Sequence, residues 1–205
     1  MEQSVQKIKL TDEALIRSYL DTHHTKYFNL LYKRYEKKVY SKCITLLKNE
    51  VTAQDATQDI FLKIFLNLSK FKGKAKFSTW VYSITYNYCL DLIRKEKRNR
   101  HIFYTELEEV LDIAEELPDS TLLEMKVKEL KIVLDQIPVR DKAVLLMKYQ
   151  NSMSIKEIAA ILNKSDDAVK MQLKRAKYKA QKVHEARNFS SMSFVKSFNG
   201  SLRFA

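Results

Sequence analysis

With 205 residues, 45% of them hydrophobic, the chain can bury one sizeable core or two small ones, and its net charge of +12 points to DNA, RNA or an anionic membrane surface as partner. Two glycines and two prolines are too few for a protein of tight turns and strands, so long helices are expected. No apolar run reaches the roughly 18 residues of a membrane span and residues 1–10 lack a signal-peptide core, so the expectation is a cytoplasmic protein with no membrane insertion.

Thr11 or Asp12 is placed to cap a first helix through Leu15, Ile16, Tyr19 and Leu20. A longer helix from Thr25 to about Lys48 carries Phe28, Leu31, Tyr35, Val39, Ile44 and Leu47 inside, with Lys33, Arg34, Lys37 and Lys38 outside. A third starts near Thr52, with Asp55 and Asp59 in its early turns, and continues through Ile60, Phe61, Ile64, Phe65 and Leu68 to complete an antiparallel bundle. The chain then breaks in a basic loop, residues 71–77, with Phe71 and Phe77 at its ends and Lys72, Lys74 and Lys76 between, and Ser78 or Thr79 caps a fourth helix. Trp80, Val81, Ile84, Cys89 and Leu92 supply its core face, which leaves Tyr82, Tyr86 and Asn87 wholly or partly outward, and its end is basic: Arg94, Lys95, Lys97, Arg98 and Arg100. Aromatics interleaved with cations offer π-faces for unstacked bases and donors for phosphates, as single-stranded nucleic acid requires. Packing of these rings into the bundle is the plainer reading, for Trp80 above all. Cys43 and Cys89 lack CxxC partners and read as buried free thiols, while the adjacent His23 and His24 point apart, so neither a metal site nor another cofactor is expected.

From Thr105 to Asp119 seven acidic residues occur without one Lys or Arg, a composition that reads as a linker. Leu122, Leu123, Val127, Leu130, Val133 and Leu134 then form a helix, and Pro138 starts another carrying Val144, Leu145 and Tyr149. Ser154 and Glu157 make a capping box before Ile155, Ile158, Ala159, Ile161 and Leu162; Asn163 suits a left-handed C-terminus, and Ser165 caps a further helix. That helix buries Val169, Leu173 and Ala176 and crowds its remaining surface with Lys170, Gln172, Lys174, Arg175, Lys177 and Lys179. The pattern is a helix-turn-helix whose second member suits the major groove, although an αα-hairpin with a solvated basic face would share much of it. The expected fold is all-α: a helical bundle over 10–101, an acidic linker over 102–120, a helix-turn-helix domain over 121–187 and a disordered tail over 188–205.

Three motifs, in this order, resemble the extracytoplasmic-function sigma factors, the small two-domain initiation subunits of bacterial RNA polymerase, over about residues 10 to 183. They are Ala53 to Phe61, Phe77 to Arg94 with Trp80, Asn87, Asp91 and Arg94, and Ile137-Pro138 through Lys182. The chain departs from the common pattern at Asn163, Asp166, Asp167 and Met171-Gln172. The resemblance implies that Asp55, Gln58 and Asp59 face the polymerase clamp. It further implies that Phe71, Lys72, Lys74, Lys76, Trp80, Tyr86, Asn87 and Arg94 contact the minus-ten element, with a flipped base held by Phe71, Asn87 and the loop. Ser165, Lys170, Gln172, Lys174 and Arg175 would meet the minus-thirty-five element, and the acidic tether would thread a nucleic acid channel of the polymerase. The implied partners are core RNA polymerase and double-stranded and locally melted promoter DNA, with an anti-sigma factor left open. No motif for covalent chemistry stands out, so catalysis would belong to the polymerase and the chain would not be an enzyme. A transcription regulator with a helical sensor domain would share the helix-turn-helix without needing the aromatic fourth helix. An RNA-binding protein would explain the aromatics and leave the helix-turn-helix redundant.

Overall fold

The computed structural model describes residues 10–99 and 127–200, and within them all side chains except those of residues 97, 99, 127 and 188–200. The acidic segment, Arg100 and the Leu122-Leu123 start of the fifth expected helix lie outside the described residues. The chain divides into two compact units, Met1–Phe103 and Tyr104–Ala205, and the described residues are helical with no strand.

In the first unit, helix α1 spans Asp12–Thr22 and is capped by Thr11, whose hydroxyl accepts from the Ala14 N–H at 3.2 Å. Asp12 is thereby free to bridge to α2 (Thr25–Leu47), accepting from the Arg34 guanidinium and the Tyr35 hydroxyl. Helix α2 ends at Lys48 in the left-handed region, and α3 (Glu50–Asn67) begins two residues earlier than Thr52 because the Asn49 side chain accepts from the Thr52 N–H at 2.9 Å. Helix α4 (Phe77–Asn99) also begins early: Trp80 N–H donates to the Lys76 carbonyl, so Lys76 stands at the cap in place of Ser78 or Thr79. Burial of the Phe77 ring against Tyr35, Phe71 and Trp80, at 5.3–5.6 Å between centroids, brings Phe77 into the helix.

Helix α2 packs against α1, α3 and α4, and α3 also packs against α4. The buried seam of α2 runs through Leu31, Tyr35, Val39, Cys43 and Leu46, so Ile44 and Leu47, expected inside, are only half-buried. Phe65 is likewise at a rim, where its ring meets Phe28 at 5.0 Å and Tyr19 at 5.7 Å.

In the second unit α5 (Val127–Gln136) leads through Pro138, the cap of α6 (Val139–Leu145), into a π-helical turn, Leu146–Gln150. Helix α7 (Ile155–Leu162) carries the expected capping box at both ends of the Ser154–Glu157 pair and stops at Asn163, φ 52°. Helix α8 (Asp166–Gly200) packs on α5, α6 and α7 through Val169, Leu173, Ala176 and Ala180, a seam at intervals of four, three and four residues. Its backbone stays helical to Gly200, where the sequence pattern suggested a frayed tail; nothing helix-breaking intervenes before that glycine.

Candidate polymerase and nucleic acid surfaces

Three surfaces carry the residues singled out by sequence. On α3, Asp55, Gln58 and Asp59 are all exposed, at the i, i+3 and i+4 positions of one face. Asp59 also accepts from the Tyr88 hydroxyl of α4, and the Lys63 ammonium lies 4.8 Å from the Tyr88 ring. Burial and then this carboxylate push the Tyr88 phenol up to about 12. Asp59 therefore helps hold α3 to α4 besides facing solvent. Sequence reasoning missed Leu62 and Leu66, 56% and 65% exposed, which continue the same stripe by seven and eleven residues from Asp55. Their spacing from Asp55 was the available signal, masked by the apolar residues on every side of this helix.

The second surface joins the 71–76 loop to α4. Lys72, Lys74 and Lys76 are exposed, and Gly73 takes φ +67°, a left-handed turn that suits glycine. Phe71 is half-buried, its ring 5.3 Å from Phe77 and 5.5 Å from Trp80. Trp80, half-buried, then starts a solvent-side row with Asn87, Asp91 and Arg94, at steps of seven, four and three residues. Asn87 is exposed and makes no hydrogen bond among the described residues, while Arg94 pairs with Asp91 at 2.6 Å.

Tyr86 corrects the sequence reading. It is fully buried, 0% exposed, and burial raises its phenol well above the usual range. One residue turns a helix by about 100°, so the position before Asn87 points away from the Trp80 row and toward the seam of Val81, Thr85 and Cys89. Tyr86 is a core ring and presents no surface to a nucleic acid.

The third surface is the start of α8. Ser165 uses its hydroxyl as a cap, accepting from Ala168 N–H at 3.2 Å. Lys170 is exposed and donates to Asp167 at 2.9 Å, which raises its ammonium above the ordinary range. Gln172 is committed at both ends of its amide: Nε2 donates to the Arg140 carbonyl at 3.2 Å and Oε1 accepts from Lys164 at 2.8 Å. Lys174 and Arg175 are half-buried, and the Arg175 Nε is enclosed without a hydrogen-bond partner. Met171, marked in the sequence as a departure from the common pattern and not as a contact, is 45% exposed on the side away from the core.

Family comparisons match both units. The model described as Sigma-70 region 2 covers residues 31–99, and that described as Sigma-70, region 4 covers residues 128–179. The ECF RNA polymerase sigma factor SigW of Bacillus subtilis is 28% identical over 155 residues, spanning 70% of this chain and 81% of the relative. The ECF RNA polymerase sigma-E factor of Haemophilus influenzae is 27% identical over 180 residues, spanning 82% and 93%. The chain belongs to the extracytoplasmic-function sigma factors.

Its function is accordingly in transcription initiation. The solved structures of CnrH with the cytosolic domain of CnrY and of the sigma factor RpoE with the anti-sigma factor NepR from Bartonella quintana share its two-unit helical fold. Their TM-scores are 0.59 and 0.58 at 20% and 18% identity, over 85% and 78% of this sigma factor and 97% and 98% of theirs. The region 2 match takes in the acidic stripe of α3, the basic loop and the Trp80 row, and the region 4 match takes in α7 and the first part of α8. Among the described residues no group of three or more metal-ligating side chains gathers, and no helix is long and apolar enough to cross a membrane.

Proposed function

We propose that this sigma factor docks on core RNA polymerase through α3, reads the minus-thirty-five element with the start of α8, and opens the minus-ten element with the 71–76 loop and the outer row of α4. The domain limits that follow are 10–101 for the polymerase and minus-ten unit, 102–120 for the acidic tether and 121–187 for the upstream reader. The observation that carries the reading is one exposed side of α4: a tilted Phe71–Trp80 pair and a lysine-rich turn at its N-terminal end, and an exposed, uncommitted Asn87 two turns further along from Trp80. A flipped base needs a π-face to replace its lost stacking, an amide for its Watson–Crick edge and cations for its phosphates, and this side of the helix offers one of each kind.

On α3, Asp55, Gln58 and Asp59 would set register against basic groups of the clamp, while Leu62 and Leu66 would supply the apolar area that charge alone does not. On α8, Lys170, Lys174 and Arg175 would reach bases or phosphates, and Ser165 and Gln172 would fix the helix at its angle of entry. The bond-making step stays with the polymerase, and this chain works in the cytoplasm as a specificity subunit. Two structural relatives were solved in complex with another protein, the cytosolic domain of CnrY and the anti-sigma factor NepR, and an anti-sigma partner is proposed here by likeness to the second.

Reconstituted transcription tests the reading. Core polymerase with this chain should initiate on double-stranded genomic templates, and Asn87→Ala should lower permanganate reactivity of promoter thymines. A template already melted across the minus-ten element should restore part of that loss. Initiation by core polymerase that is indifferent to this chain would refute it.

A further inference from the structure

Cys43 of α2 and Cys89 of α4 were expected as unrelated buried thiols, yet the fold brings them together. Both are free, both are 0% exposed, and the Cys89 thiol donates to the Cys43 sulfur at 3.7 Å across 46 residues of sequence. The Lys42 side chain lies beside them, buried, with its ammonium 4.2 Å from the Tyr82 ring. This pair is on the inner seam, apart from all three proposed contact surfaces, so none of the functions argued above uses it.

We propose that Cys43 and Cys89 are an oxidation site: a hydroperoxide converts them to a disulfide that staples α2 to α4 and closes a loop containing the whole of α3. The S–H donated by Cys89, against the opposing effect of burial and with smaller help from Thr57 and last from the Lys42 charge, holds the Cys43 thiol below its ordinary range, whereas that same donation and burial push Cys89 up. Cys43 is thus the attacking sulfur. Its thiolate takes the terminal oxygen of the peroxide, the O–O bond breaks, and the departing oxygen leaves with a proton as alcohol or water. The resulting sulfenic acid is attacked by the Cys89 sulfur; the S–S bond forms, the S–O bond breaks, and hydroxide leaves with the Cys89 proton as water. Two thiols lose two electrons and one peroxide gains them.

The sulfurs need to approach by only about 1.7 Å to reach bonding distance, a movement that side-chain rotation and a small shift of α4 share. Burial makes the first step slow, because the peroxide enters during local opening. The second step is fast, because the resolving thiol already touches its target, and it closes the disulfide before further oxygen is added.

The test uses the full chain, treated with hydrogen peroxide, quenched with catalase, unfolded in guanidinium with iodoacetamide and weighed intact. The expected product has lost two hydrogens and carries no alkyl group; dithiothreitol restores two alkylated cysteines. Its melting temperature, read before unfolding, is higher than that of the reduced chain by roughly 5 to 15 °C, as closing a loop of this length requires. Cys43→Ser and Cys89→Ser should each abolish both changes. Two alkylated cysteines after peroxide, oxygen adducts in place of hydrogen loss, an unchanged melting temperature in the oxidised chain, or the same mass loss in either serine variant would overturn the proposal.

Discussion

Among the described residues, the most deeply buried lysine of the first unit, Lys42, rests over the ring of Tyr82, and that of the second, Lys142, donates to Asp135 at 2.7 Å. The contrast extends outward. Rings of Tyr19, Phe28, Phe65, Tyr35, Phe71, Phe77 and Trp80 pack in tilted and edge-to-face pairs through the first unit, whereas Val, Ile, Ala, Leu and Met pack the second and polar ties hold its helices in place. Lys179 joins Asp141 at 2.9 Å, and Gln172 links Lys164 to Arg140. In the first unit the core needs no help from Asn87, Asp55 or Gln58, so at those positions stability and function are separable. In the second, Ser165 and Gln172 are both struts and members of the presented face, so the two properties move together.

The largest effect that tests this separation is in the first unit. Tyr86→Ala should cost about 3 to 5 kcal/mol of stability, whereas its neighbour Asn87→Ala should stay within about 1 kcal/mol, both read by thermal or denaturant unfolding. Equal costs at the two positions would erase the distinction between seam and surface.

Next in size, Asp55→Lys with Asp59→Lys should weaken core-polymerase binding by about 2 to 4 kcal/mol with helicity intact. Tyr88→Phe, which removes only the Asp59 tie, should leave that binding unchanged in the same co-purification assay. Loss of binding in Tyr88→Phe would mean that α3 and α4 act as one strut and that separability fails here too.

In the second unit, Gln172→Ala should lose both properties at once: about 0.5 to 1.5 kcal/mol of stability by denaturant unfolding, and promoter affinity with it, because the helix is no longer fixed at its angle of entry. Arg175→Ala should lower affinity, or reduce the salt slope by about one unit if it meets a phosphate, which a binding titration across salt concentrations separates.

The smallest effect is a pH dependence from Lys42. Burial first, then Lys38, lower its ammonium to about 8. The folded chain sheds that proton above pH 8 while the unfolded chain keeps it to about 10, so the unfolded state binds more protons in this window and stability rises with pH. Relative to Lys42→Met, the parent should gain about 1 kcal/mol between pH 8 and 10, after allowance for screening near the surface. A constant difference between the two would show that Lys42 keeps its charge over the ring.

Local chemistry made much of this protein legible in its sequence. The Ser154–Glu157 box, the left-handed stop at Asn163, the Thr11 cap and the Val169–Leu173–Ala176 seam depend on residues within one or two turns of each other, and each stands where its pattern put it. The order of acidic helix, basic loop, aromatic helix and helix-turn-helix was likewise enough to reach the sigma factor family. Which ring of α4 is buried was not readable, because Tyr82, Tyr86 and Tyr88 are alike in chemistry and only the positions of α2 and α3 decide that Tyr86 meets the core while Tyr88 reaches Asp59. The same packing left Leu62 and Leu66 outside, committed the Gln172 amide to a carbonyl 32 residues away, and set Cys43 against Cys89. Sequence determines what a few neighbouring residues can do for one helix; the phase of each helix against the others is a property of the whole core, settled by which faces fill space together, and it is that phase which sorts this chain's polar and aromatic side chains into struts and contacts.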